Sequence, residues 1–168
     1  MTLAKKYDFY LKLAVILISI SQPFILIATQ GWMWSISSYW CTPLQPLFIF
    51  VNAGTSYYFF HNEKWQAPGI FLLLLTAFSV EQYKFTHNIF AAGFFLSCLY
   101  PMLHLKRFRF LGFLYMLSIP LFPMIGMLFF EIYCVMIVGI YHLSILLYKE
   151  YLYKLRHQTF DKIDDRIL

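Results

Sequence analysis

Residues 110–147 read FLGFLYMLSIPLFPMIGMLFFEIYCVMIVGIYHLSILL, an apolar run whose single formal charge is Glu131. Laid out as one α-helix at about 1.5 Å per residue, the run would be about 57 Å long, nearly twice the ~30 Å hydrocarbon thickness of a bilayer. It therefore has to fold back on itself. Pro120, Pro123 and Gly126 stand in its middle and supply a break. The pattern predicts two membrane spans, at about 108–123 and 127–148.

The rest of the chain has the same character. Hydrophobic residues make up 61% of its 168 positions and charged residues 12%, against about 25% charged in an ordinary soluble domain. A soluble fold cannot hide this much apolar surface, so the bilayer is the solvent. Four further spans precede the run: Phe9 to Thr29 with a kink at Pro23, Pro43 to Phe60, Pro68 to Val80, and Thr86 to Leu105. The third is short unless it continues through Tyr83. Prolines opening spans two and three suit a first helical turn, where a missing N–H costs nothing. The expected fold class is all-α: a polytopic bundle of six transmembrane helices over residues 1–148, followed by an amphipathic tail over 149–168.

Charge placement sets the orientation. Of the 13 Lys and Arg, six crossings put twelve on one side: Lys5, Lys6 and Lys12, Lys64, Lys106, Arg107 and Arg109, and the five after span six. Lys84 alone falls on the other side. The positive-inside rule then makes both termini cytoplasmic, in a multi-pass integral membrane protein whose host membrane the sequence does not name. The net charge of +5 flanks apolar runs and sets topology, so nucleic acid is not an expected partner. Cys41, Cys98 and Cys134 are odd in number, widely spaced and without a CxxC pair, which reads as three small buried hydrophobes. The first apolar run is as long as a full span and lacks a small-residue cleavage site, so it is read as retained. In the tail, Leu152, Leu155, Phe160, Ile163 and Ile167 recur at roughly helical spacing, which suits a surface helix, a partner contact or a solvated end.

Polar residues interrupt the hydrocarbon at one place in particular. The stretch AFSVEQYKFTHNIFAAGFF, residues 77–95, puts Glu81, Gln82, Lys84, His87 and Asn88 at the outer junction of spans three and four. The first outer loop, GWMWSISSYWCTP at 31–43, lies at the same level, with Ser37, Ser38, Tyr39 and Trp40. So does Glu131, about one turn into span six. Ionisable groups at membrane depth are costly and are functional candidates by default. The expected ligand-binding set is Glu81, His87, Glu131, Tyr39 and Trp40, with His87, Glu81, Glu131 and Ser37 the candidates for catalysis. The structural alternative is a wet loop with Glu81 paired to Lys84, an aromatic belt of tryptophans, and Glu131 bound to another span. His61, His104 and His142 all fall toward the cytoplasmic side, His142 about 16 Å along span six from Glu131. Imidazole is a common metal ligand, but no HxxH or HxxxH spacing joins them, and no metal or cofactor is expected. Gly93 and Ser97, beside Ala91 and Ala92, form a small-residue face for close helix approach, with Ala53, Gly54, Thr55 and Ser56 of span two as its expected partner.

The spacing from Phe78 to His87, followed by Ala91 and an aromatic-rich helix, resembles the third-to-fourth span junction of the DRAM-like family, the damage-regulated autophagy modulators and their six-span relatives. Ile36, Ser37, Pro43 and Phe48 stand where that family has an Ile-Ser-Asp-like element, a Pro-Glu opening the second helix, and a Phe soon after. Ser38, Leu44 and Ser79 depart from the pattern, and the resemblance covers about a third of the chain. It implies a six-span fold with an outer-face polar cluster and a role in lipid handling or membrane homeostasis, without an established catalytic reaction.

Three functions follow as expectations. The first is a non-enzymatic protein binding membrane lipid, the headgroup at the outer rim and the acyl chain in a helix crevice. The second is a membrane-embedded lipid hydrolase or acyltransferase, with His87 as base, Glu81 or Glu131 orienting it, and Ser37 or Ser38 as nucleophile; no GxSxG, HxxxD or HxxxH pattern accompanies it. The third is a small structural subunit docked on other membrane subunits.

Overall fold

The computed structural model describes residues 3–164, with side chains described as far as Leu155. The described residues are helical throughout, with no strand: α1 (Leu3–Gln30), α2 (Gln45–Phe60), α3 (Gln66–Ala77), α4 (Lys84–His104), α5 (Arg109–Ile125) and α6 (Met127–Asp164), with short 3-10 turns at Ile36–Cys41, Glu63–Trp65 and Lys106–Phe108. Three stretches are long and apolar enough to cross a membrane: Leu3–Gln30, Lys106–Ile125 and Met127–Leu155. The 16 residues of α2 and 12 of α3 span about 24 and 18 Å. Both are shorter than a ~30 Å hydrocarbon core.

Local chemistry explains the ends. Pro46, not Pro43, occupies the first turn of α2, because the chain is still turning through Thr42, whose hydroxyl accepts from the Leu44 N–H. The third helix stops at Ala77, earlier than Val80, since Phe78 is extended and Ser79 caps the following turn. Pro120 and Pro123 do not break the long apolar run. They ride inside α5, as prolines do where neighbouring groups reabsorb the freed backbone. Gly126 alone makes the turn, at φ 78°, a backbone state a side chain disfavours. The α6 helix passes without interruption from the apolar run into the tail. The expected apolar stripe at Phe160, Ile163 and Ile167 lies outside the described side chains.

Each helix packs on its neighbours in the chain, and α6 closes the ring against α1. The centre is filled by large side chains, among them Phe59, Trp65, Phe94, Met102, Tyr115 and Tyr141, while rows of Leu, Ile and Phe face outward. A smaller cluster of Leu26, Ile36, Tyr39, Phe48 and Leu128 closes one end. Small residues set the close approaches, though not where the pattern suggested. A Cβ on Gly93 would lie 2.5 Å from the Phe71 ring of α3. The small face of α4 therefore receives α3, not α2, and Gly54 opens onto empty space. It is Gly69 of α3 that meets the Ser56 carbonyl and Phe59 of α2. Gly139 lets α6 approach Ile20 of α1, where a Cβ would collide with the isoleucine side chain.

Candidate functional site

The two ends of the ring differ. One carries the loop 31–44, the turn 78–83 and the Gly126 turn, with Lys84 as its sole described Lys or Arg. The other carries the chain start, the 61–65 and 105–108 connections and the end of α6, with the remaining described Lys and Arg.

The Lys84 end holds the polar residues singled out in the sequence; Glu131, Ser37, Ser38, Tyr39, Trp40 and His87 bond within the protein, and Glu81 meets the Cys41 thiol. Glu131 is buried, and its carboxylate accepts the Ile36 N–H at the start of the 3-10 turn. Ser35 caps that turn, its hydroxyl accepting the Ser38 N–H. It also pairs with the hydroxyls of Ser37 at 2.9 Å and Ser38 at 2.8 Å. Tyr39 is fully buried and donates to the Gly31 carbonyl at 2.6 Å, and Trp40 Nε1 donates to the Thr76 carbonyl at 3.1 Å. His87 is buried with Nδ1 2.6 Å from the Phe78 carbonyl, which pins the α3–α4 turn, and its Nε2 has no partner. Glu81 is exposed and forms no ion pair with Lys84. It sits beside Cys41, which is exposed rather than buried as its composition suggested. Burial of the sulfur and then the Glu81 carboxylate push the Cys41 thiol above its usual range. Glu81, His87 and Glu131 thus share one end of the bundle, but His87 and Glu131 hold separate backbone segments together. Ser37 and His87 are not hydrogen-bonded to each other, so no nucleophile–base pair is formed.

The opposite end is open. A cleft of about 740 Å³ separates the start of α1, the α2–α3 connection and the end of α6. This lies within the ~300–1,000 Å³ range of small-molecule sites. Lys5, Lys12, Lys64 and Lys149 line it, with Asp8, Glu63 and Glu150. Two of those carboxylates are engaged: Asp8 by Lys12 at 2.6 Å and Glu150 by Lys154 at 3.6 Å. Tyr58 and His142 line the cleft and also a cavity of about 70 Å³ at the centre of the ring, which all six helices line. That cavity is walled mostly by apolar side chains, with Ser19, Gln22, Asn52 and Thr55 along one side. Ser19 and Thr55 bridge α1 and α2 at 2.6 Å, and Gln22 donates to the Phe48 carbonyl at 3.3 Å.

His142 is buried and lines both spaces. Its Nδ1 lies 3.2 Å from the Tyr58 hydroxyl, its ring packs among Phe59, Trp65 and Tyr141, and its Nε2 has no partner. His61, which lines the same cleft, and His104 are exposed and rest against Tyr57 and Tyr100. Among the described residues no group of three or more His, Cys, Asp or Glu is placed to hold a metal. In the sequence the lysines stand out only as topology signals, and Tyr58 does not stand out at all. The one available signal was the alignment of Ser19, Gln22, Asn52, Thr55 and His142 as polar positions in otherwise apolar helices.

Comparison with protein-family models, characterised proteins and solved structures finds no match to this chain.

Proposed function

We propose that this is a six-crossing integral membrane protein, both termini cytoplasmic, that binds a membrane lipid in the cleft between α1, α2 and α6. The observation that carries the reading is the shared Tyr58–His142 wall: a wide, charged cleft lies on one side of it and a narrow, mostly apolar cavity on the other. An amphiphile requires that gradient, with its polar group in the mouth and hydrocarbon beyond. The short α2 and α3 complete their crossings with the flanking connections and local thinning of the bilayer. The charge asymmetry supports the orientation. The resemblance of Ile36, Ser37, Pro43, Phe48 and His87 to the DRAM-like pattern leans toward lipid handling as well. Lipid hydrolysis is the weaker reading, because Ser37 and His87 are engaged with Ser35 and Phe78.

The test is native mass spectrometry of the full chain purified in mild detergent. A lipid adduct should accompany the protein. Val15→Phe, which grows into the inner cavity, should lower its occupancy while the melting midpoint is kept. Protein free of lipid, or an adduct indifferent to Val15→Phe, would overturn the reading.

A further inference from the structure

We infer that the cleft at the lysine-bearing end recognises a phosphate-bearing headgroup of an anionic lipid, with Lys64 and Lys149 as its principal contacts. The inference deepens the lipid-binding reading and rests on it. Its ground is the charge left over in the cleft. Four lysines face three carboxylates, but Asp8 is closed onto Lys12 and Glu150 is drawn to Lys154, which stands outside the lining, so Lys5, Lys64 and Lys149 remain against Glu63 alone. Lys5 leans over the Tyr153 ring at 5.3 Å. Among the described residues, Lys64 and Lys149 have no carboxylate within ion-pair distance. They belong to different elements lining the cleft, the α2–α3 connection and α6. Two ammonium groups without a carboxylate partner in one concave site suit an anion, and ammonium–phosphate hydrogen bonds are among the stronger ones.

Geometry selects a lipid over a free anion. Between the lysines the walls carry Phe9, Ile145 and Leu146, and beyond them lies the inner cavity. A free phosphate would leave Phe9, Ile145 and Leu146 uncovered, whereas an acyl chain lying along the cleft covers them. The orientation puts this end in the cytoplasmic leaflet, where anionic lipids concentrate and basic pockets between helices take up their headgroups.

The experiment titrates the detergent-purified full chain with dioleoyl phosphatidic acid, with dioleoylglycerol, and with inorganic phosphate, reading occupancy by native mass spectrometry. Phosphatidic acid should bind about tenfold or more tighter than dioleoylglycerol, which has the same chains without phosphate. Lys64→Ala with Lys149→Ala should remove most of that difference and leave dioleoylglycerol binding unchanged. Lys64→Arg with Lys149→Arg should retain it and guards against a folding artefact, as does an unchanged melting midpoint. Equal binding of the two lipids, or phosphatidic acid affinity that survives the double alanine change, overturns the headgroup assignment and leaves lipid binding standing. Binding of neither lipid overturns both. Inorganic phosphate that binds as tightly as phosphatidic acid overturns the lipid in favour of a free anion.

Discussion

Glu131 is the one formal charge in a long apolar run, and its place in the structure is specific. The carboxylate accepts the Ile36 N–H and so fastens the 31–44 loop onto α6. Glu131→Leu removes the acceptor and leaves a buried backbone donor unsatisfied, a cost of about 1–3 kcal/mol. Taking ~2 kcal/mol, and about 2–4 °C per kcal/mol for a chain of this size, the melting midpoint should fall by about 4–8 °C. Glu131→Gln keeps an acceptor oxygen and should cost less than half as much. The decisive comparison uses Ile36→Pro, which deletes the N–H itself. Ser35 is already extended at φ −151°, ψ 162°, as a residue before proline must be, and the first position of a helical turn tolerates proline. In that background Glu131→Leu should lose most of its cost, and the double-mutant cycle cancels the packing lost with the Ile36 side chain. Midpoints are read by tryptophan fluorescence in detergent at one fixed heating rate, since membrane-protein unfolding is often irreversible. A Glu131→Leu penalty equal in both backgrounds would show that the carboxylate serves something other than Ile36.

In a Cys41→Ser background, Trp34→Cys, at a position 77% exposed, should react with a membrane-impermeant maleimide on intact cells. Arg107→Cys should react only after permeabilisation, and labelling of both from one side would overturn the six-crossing orientation. Gly93→Leu should destabilise the α3–α4 contact by about 1–3 kcal/mol, because a Cβ there already meets the Phe71 ring at 2.5 Å. Gly54→Leu, which meets nothing within 4 Å, should melt close to the unaltered protein, and equal loss at both sites would refute the assigned packing.

The helices themselves were legible because apolar runs alternate with polar, proline and glycine punctuation, although only three stretches reach the length and hydropathy of a span. Where the reading slipped, a local rule met a neighbour. Pro120 and Pro123 look like breakers in isolation, yet α5 carries both and Gly126 takes the turn. Gly93 signalled a close approach correctly, but small residues are symmetric advertisements and say nothing about which helix answers. At the candidate site, Glu131 and His87 stood out as costly groups. Cost alone does not separate a ligand contact from a backbone tether; here the Glu131 carboxylate accepts the Ile36 N–H and His87 Nδ1 meets the Phe78 carbonyl.

The sequence by itself determined that this chain is helical and carries stretches long and apolar enough to cross a membrane. Those properties are sums over residues: helical length and apolar content against hydrocarbon thickness. Only the tertiary structure decided that α6 closes a ring on α1 through Gly139, that Glu131 ties the 31–44 loop to α6, and that the lysine end gapes into a cleft floored by Tyr58 and His142. A cavity exists where packing is incomplete between segments far apart in the chain, and no periodicity within one helix records that shortfall.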